Sequence, residues 1–219
     1  DLSVLAVTLP TIDFDGDGLP DLDASTLQYA GISMGAINGT PFVATEPLVN
    51  SAFLSVPMGG LARGLEASET FGPTIRAGLA SIGVLPGTAE YELFFTAFQT
   101  VIDSMDPINW SAEAARLRNI VMHEVIGDTV VPNYVPTAPL SGTEPMIRAM
   151  GLTPYSTTQI NPTGLDAVAR FVPPADHSSL LRPTASPAAT AEMQKQMASF
   201  IASMGTAVLV EDSSTMVQV

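Results

Sequence analysis

Residues 26–44 read TLQYAGISMGAINGTPFVA, and this stretch decides the fold. Residues 26–32, TLQYAGI, form an apolar run of strand length, and residues 33–44 open with small side chains suited to a helix that leaves the strand at close quarters. Between them Gly31-Ile32-Ser33-Met34-Gly35 fits G-x-S-x-G. In that pattern a strand turns sharply into a helix and holds a serine hydroxyl out at the end of a sheet. The turn brings backbone segments close together, so a glycine at each end is expected to be required where a Cβ would collide. The helix that follows aims its first N–H groups at developing negative charge, and the Met34 N–H is the expected oxyanion donor.

Outward from this elbow, further strands are expected at residues 52–56 (AFLSV, closed by Pro57 and Gly59–Gly60), 119–126 (NIVMHEVI) and 167–173 (AVARFVP). Residues 61–117 have a helical pattern, with Tyr91, Phe94, Phe95, Phe98 and Ile102 on one face, and are expected to form a helical cap or crossover. The aromatics there line either an acyl pocket or a local core. Residues 187–204 begin with a proline and carry Met193, Met197, Phe200, Ile201 and Met204 at helical spacing, which predicts a terminal helix. Residues 2–10 and 206–210 are expected to be extended, and residues 13–23 a loop. Strands alternating with helices predict an α/β fold, a mostly parallel sheet with helices on both faces, in a single domain over residues 1–219.

Composition narrows the function classes. Of 219 residues 46% are hydrophobic and 14% charged, as in a folded domain with a substantial core. The 22 acidic against 8 basic residues give a net charge of −14, which opposes binding to nucleic acid and to anionic membrane surfaces. No apolar run is long enough for a bilayer span. With no cysteine, disulfides, zinc–thiolate sites and thiol nucleophiles are excluded, so covalent catalysis must use another side chain. The chain starts at Asp1, and a signal peptide or longer upstream portion is expected to have been removed.

Two further residues complete a hydrolytic constellation in the chain order Ser, Asp, His. Asp128 lies in GDTVVP, just beyond the strand at 119–126, where its carboxylate can orient an imidazole; the alternative is an ordinary Gly-Asp turn. Asp103 and Asp106 are weaker rivals, lying within or just after the helical stretch. His177 lies in the polar loop PPADHSSLL after the last core strand, within reach of Ser33. His123 lies inside a strand and is expected to be structural.

The segments DFDGDGLPDLD, GISMGAINGTPF, DSMDPINW, HEVIGDTVVPN, APLSGTEPMIRAMG and ADHSSLL, in this order, resemble the bacterial extracellular lipases and lysophospholipases of the α/β-hydrolase superfamily, the virulence-factor lipase type. The resemblance implies a serine carboxylic-ester hydrolase acting on acyl lipids or simple esters. Ser33, Asp128 and His177 match its nucleophile, acid and base, with no cofactor for catalysis and a secreted or cell-surface location. Ile32 and Met34 stand where lipases of this type carry a leucine and a histidine. The superfamily also places several strands and a second oxyanion donor upstream of the nucleophile. The chain is therefore expected to form the C-terminal half of the sheet, with another polypeptide, a separate N-terminal segment or a second copy, completing it beside the nucleophile strand.

The loop DFDGDGLPDLD has its own chemistry. Asp13, Asp15, Asp17 and Asp21 fall at positions 1, 3, 5 and 9 of a calcium-loop pattern, with Gly18 at position 6 and the Leu19 carbonyl at position 7. Position 12 is Ala24 instead of glutamate, with Asp23 one place earlier. The loop either holds a structural calcium ion or is a solvated acidic turn. Against the esterase stands one rival from another class, a non-catalytic, calcium-stabilised binding or assembly remnant that keeps the elbow without a full oxyanion hole.

Overall fold

Five strands form one sheet in the order β1-β2-β3-β6-β4, every neighbouring pair parallel. The computed structural model describes the backbone of residues 1–219 and all side chains but that of Ala24. The strands are β1 (Tyr29–Ile32), β2 (Ser51–Ser55), β3 (Asn119–Val125), β4 (Thr153–Pro154) and β6 (Asp166–Phe171). β5 (Gln159–Ile160) and β7 (Ala207–Val208) make a separate antiparallel ribbon. The fold is α/β, a mostly parallel sheet flanked by helices.

Side-chain alternation explains why the sheet is buried on both sides. Phe53, Val121, Ala169 and Phe171 turn to one face, where Met193 and Phe200 of α8 (Pro187–Ala202) cover them. Leu54, Ile120, Met122 and Val168 turn to the other, against α2 (Met34–Thr45), α6 (Pro107–Leu117) and α7 (Thr143–Met150). Each large side chain so buried contributes about 1.5–3 kcal/mol, so two such layers suffice to hold a short-stranded sheet together.

Residues 61–117 are helical between β2 and β3 and divide into a cap and a crossover helix. α3 (Leu61–Ala67), α4 (Gly72–Ser81) and α5 (Ala89–Ile102) share a separate small core of Ala62, Leu79, Tyr91 and Phe95. α6 instead belongs to the main body, because its buried face is small (Ser111, Ala114) and packs closely on the layer beneath the sheet. Tyr91 and Phe95 are therefore core residues of the cap.

Residues 2–10 are not extended: α1 (Leu2–Thr8) is a helix, followed by a single 3-10 turn over Leu9–Thr11. Lacking a strand to pair with, this segment satisfies its amides internally and leaves Val4, Leu5 and Val7 exposed. β1 starts at Tyr29, three residues later than the apolar run predicts, because residues 24–26 form a 3-10 turn. Among the described residues, the outer edge of β1 has no partner strand. Among the described residues no helix is long and apolar enough to cross a membrane.

Candidate active site

Ser33 stands between β1 and α2 with φ 52° and ψ −117°, a backbone conformation that L-residues rarely adopt and that costs on the order of 1–3 kcal/mol. The surrounding ladder imposes it. The Ser33 N–H donates to Ser55 O at 2.8 Å, continuing the β1–β2 pairing, while Ser33 O accepts from Ile37 N at 2.8 Å as the first bond of α2. One residue thus ends a strand and starts a helix, and its side chain is thrust outward.

The two glycines of the elbow differ in their reasons. A Cβ on Gly31 would lie 2.7 Å from the Gly35 carbonyl carbon and 2.8 Å from Ala36 N, so the helix can pass over the strand only with glycine there. A Cβ on Gly35 would meet nothing within 4 Å, so the expected collision at that end does not occur. The second close approach lies one turn on, at Gly39, where the Tyr29 ring would be 2.2 Å from a Cβ. Tyr29 also donates its hydroxyl to Gly35 O at 2.6 Å, tying β1 to the first turn of α2.

Asp128 sits beyond β3, after Gly127 at φ 76°. Its Oδ1 accepts from Val130 N at 2.8 Å and Val131 N at 3.0 Å, which leaves Oδ2 for the His177 Nδ1 at 2.6 Å. His177 Nε2 lies 2.8 Å from Ser33 Oγ. Asp176 shapes the turn that presents the imidazole: its Oδ1 accepts from Ser178 N at 2.9 Å and from Ser179 Oγ at 3.0 Å. Side-chain exposure falls from 15% at His177 to 2% at Asp128, so the acid end of the chain of hydrogen bonds is dry. Ser33, His177 and Asp128 are thus brought together from three segments distant in sequence.

The Met34 N–H, first in α2, has no acceptor within the helix and is available at the serine. The Met34 side chain is exposed. Asp106 is fully occupied elsewhere, accepting from Gly60 N, Leu61 N, Ile108 N and Gln99 Nε2, and it anchors the cap to the start of α6. Asp103 accepts from Gln99 Nε2. A cavity of about 550 Å³ opens between α5, the start of α6 and residues 138–141, and none of the three assembled residues lines it.

His123 is buried edge-on to Phe53 and Phe171, with Nε2 3.0 Å from Gln196 Oε1. Burial pulls its pKa from 6.5 down to about 3, with the Gln196 bond acting weakly the other way. The unfolded chain therefore binds this proton below pH 6.5, whereas the folded chain binds it only near pH 3. The stabilising contribution is complete above pH 6.5 and is lost as pH falls toward 3, at about 1.4 kcal/mol per pH unit. Glu124, raised in the opposite sense to about 7 by burial and then by Glu144, is common to parent and variant and drops out of their difference. Denaturant unfolding of the parent and His123→Leu between pH 6.5 and 4 should show that much less slope in the variant. Parallel slopes would refute this assignment.

In the acidic loop, Asp13, Asp15 and Asp21 offer carboxylate oxygens within 4.8 Å of one another. Gly16 N and Gly18 N donate to Asp13 at 2.6 and 2.8 Å, and these bonds, Gly18 foremost, hold its carboxyl below the usual range. Asp17 is outside the cluster, contrary to the sequence pattern, because its carboxylate is turned onto the Leu19 N–H at 2.8 Å.

No family model and no curated protein matches the chain. Among solved structures it is similar to one described as the structure of DcsB complex with its substrate analogue, over 94% of this chain and 71% of that chain, at 14% identity and a TM-score of 0.49.

Proposed function

We propose that this chain is a serine carboxylic-ester hydrolase that acts through an acyl-enzyme on acyl lipids or simple esters. The observation that carries the reading is the unbroken run of hydrogen bonds from Ser33 Oγ through His177 to Asp128, set at a strained strand-to-helix turn. In the tautomer that Asp128 favours, His177 Nδ1–H donates to the carboxylate and Nε2 accepts the serine proton. Ser33 Oγ then attacks the ester carbonyl carbon, and the carbonyl electron pair moves onto oxygen, facing the Met34 N–H and the start of α2. Collapse of this intermediate expels the alcohol, which takes the proton from the imidazolium. Water repeats the sequence on the acyl-serine, giving the acid and restoring Ser33.

The reading includes a partner. Another polypeptide segment, an N-terminal part of the same protein or a second copy, pairs with β1 and supplies a second oxyanion donor; the open outer edge of β1 supports this. It includes secretion or surface attachment, which rests on the family resemblance. It also includes a structural calcium ion on Asp13, Asp15 and Asp21, the hard oxygen donors such an ion takes. Calcium should raise the melting temperature by several degrees and a chelator should reverse the gain; a melting temperature indifferent to both would remove the ion from the account.

The open edge also favours a second reading, a non-catalytic remnant that assembles with another chain. Hydrolysis of a chromogenic short-chain ester separates the two. Turnover supports the hydrolase, and an active monomer would discard the partner. No turnover, with companion chains present, would favour the remnant.

A further inference from the structure

We infer that Asn133, together with Glu124 and Arg170, is a positioning unit that holds Asp128 and His177 in mutual register. The inference rests on the hydrolase reading for its kinetic consequences, though the geometry it describes is independent of that reading. Asp128 stands on a loop that leaves β3 at Val125, where a single long backbone bond, Asp128 N to Val125 O at 3.3 Å, closes the turn without holding the Gly127 N–H. Asn133, at the far end of the loop, does so with one amide group. Its Oδ1 accepts from Gly127 N at 2.8 Å, and its Nδ2 donates to Val125 O at 2.8 Å and to Glu124 Oε1 at 2.8 Å. A backbone donor on one side and a backbone acceptor on the other leave only one orientation for the amide. The side chain therefore clamps the residue before Asp128 to the end of the strand.

Glu124 extends the clamp to the histidine side. It lies opposite Arg170 across the β3–β6 pair, is fully buried, and accepts from Arg170 Nε on its second oxygen at 2.9 Å. Arg170 is the penultimate residue of β6, from which the chain runs on to His177, and it also meets Glu144 at the start of α7 at 2.9 Å. Asn133 O accepts from Glu144 N at 2.8 Å, closing the circuit. The strand ending in the acid loop and the strand feeding the base loop are thus joined through Asn133, Glu124 and Arg170. Ion pairs this deep contribute little net stability, so a role in fixing geometry is the better physical reason for them.

A donor–acceptor swap tests the inference. Asn133→Asp keeps an acceptor for Gly127 N–H but removes the donor and sets a carboxylate against Glu124. Adding Glu124→Gln returns a donor to the same bond with its direction reversed, and keeps an acceptor for Arg170. The readouts are kcat and KM for a chromogenic ester, and the downfield proton resonance of His177 Nδ1–H, assigned by its loss in Asp128→Ala. Asn133→Asp should lower kcat about 10- to 100-fold with KM nearly unchanged, the scale on which residues that orient a reacting group act. It should also broaden the resonance, and the double variant, which restores the bond between residues 133 and 124 but not the one to Val125 O, should recover both in part. If Asn133→Asp does not fold, Asn133→Ala is expected to show the same two losses. A resonance and kcat indifferent to Asn133, or a swap that recovers neither, would overturn the inference. If the parent turns over no ester even with companion chains present, the hydrolase reading fails and the resonance alone decides the positioning unit.

Discussion

Ser33→Ala should reduce kcat for ester hydrolysis by roughly 10⁴- to 10⁶-fold while the protein melts at nearly its original temperature. The two halves of this expectation have separate causes. Ser33 Oγ has one hydrogen-bond partner, His177 Nε2, so its removal deprives the site of the attacking atom. The structural bonds at this position are made by the backbone, through Ser33 N to Ser55 O and Ile37 N to Ser33 O, and alanine keeps both. Alanine also has a Cβ, so the strained φ of 52° is no worse than before. What activity survives would come from the Met34 N–H and from binding alone. Turnover near the parental rate would mean that the hydrolysis is not performed by this serine.

Asp128→Asn is expected to cost about 10⁴-fold in kcat, although the two side chains have nearly the same shape. The direction of the neighbouring bonds is the reason. Val130 N and Val131 N both donate to one oxygen of Asp128, so the amide of the variant must place its carbonyl there and its NH₂ toward His177. His177 Nδ1 then becomes the acceptor and the proton moves to Nε2, facing Ser33. An imidazole in that tautomer cannot take the serine proton. Nitrogen-15 shifts of the ring report the tautomer directly, and kcat reports its consequence. A variant with the parental tautomer and a rate within tenfold of the parent would show that Asp128 does not orient the base.

Much of the site was legible because its chemistry is local. Ser33 is announced by its small neighbours, and Asp128 and His177 by polar loops directly following apolar strands. One rival of Asp128 loses for a reason that sequence cannot supply: Asp106 is consumed by four donors that converge from α3, α5 and α6. The glycine pattern was half informative. Gly31 faces backbone one turn into the helix, whereas the matching constraint lies at Gly39 against Tyr29, a pairing set by the angle between β1 and α2. Asn133 and Glu124 were invisible as functional residues, since an asparagine in a loop and a glutamate in a strand have no periodic signature. α1 defied its apolar composition because strand formation needs a neighbour, and among the described residues none lies beside it. Where cap gives way to crossover was not legible for a similar reason: α6 has the same helical pattern as α5, and only the layer it packs against distinguishes them.

Covalent capture tests most directly whether Ser33 is a nucleophile activated by its neighbours. The chain, with companion chains present, is treated with a fluorophosphonate ester, and its intact mass and proteolytic peptides are measured. A single adduct on Ser33 is expected, formed quickly by the parent, very slowly by His177→Ala and not at all by Ser33→Ala. A folded parent chain that takes up no phosphonate, or that carries it on a residue other than Ser33, would contradict it.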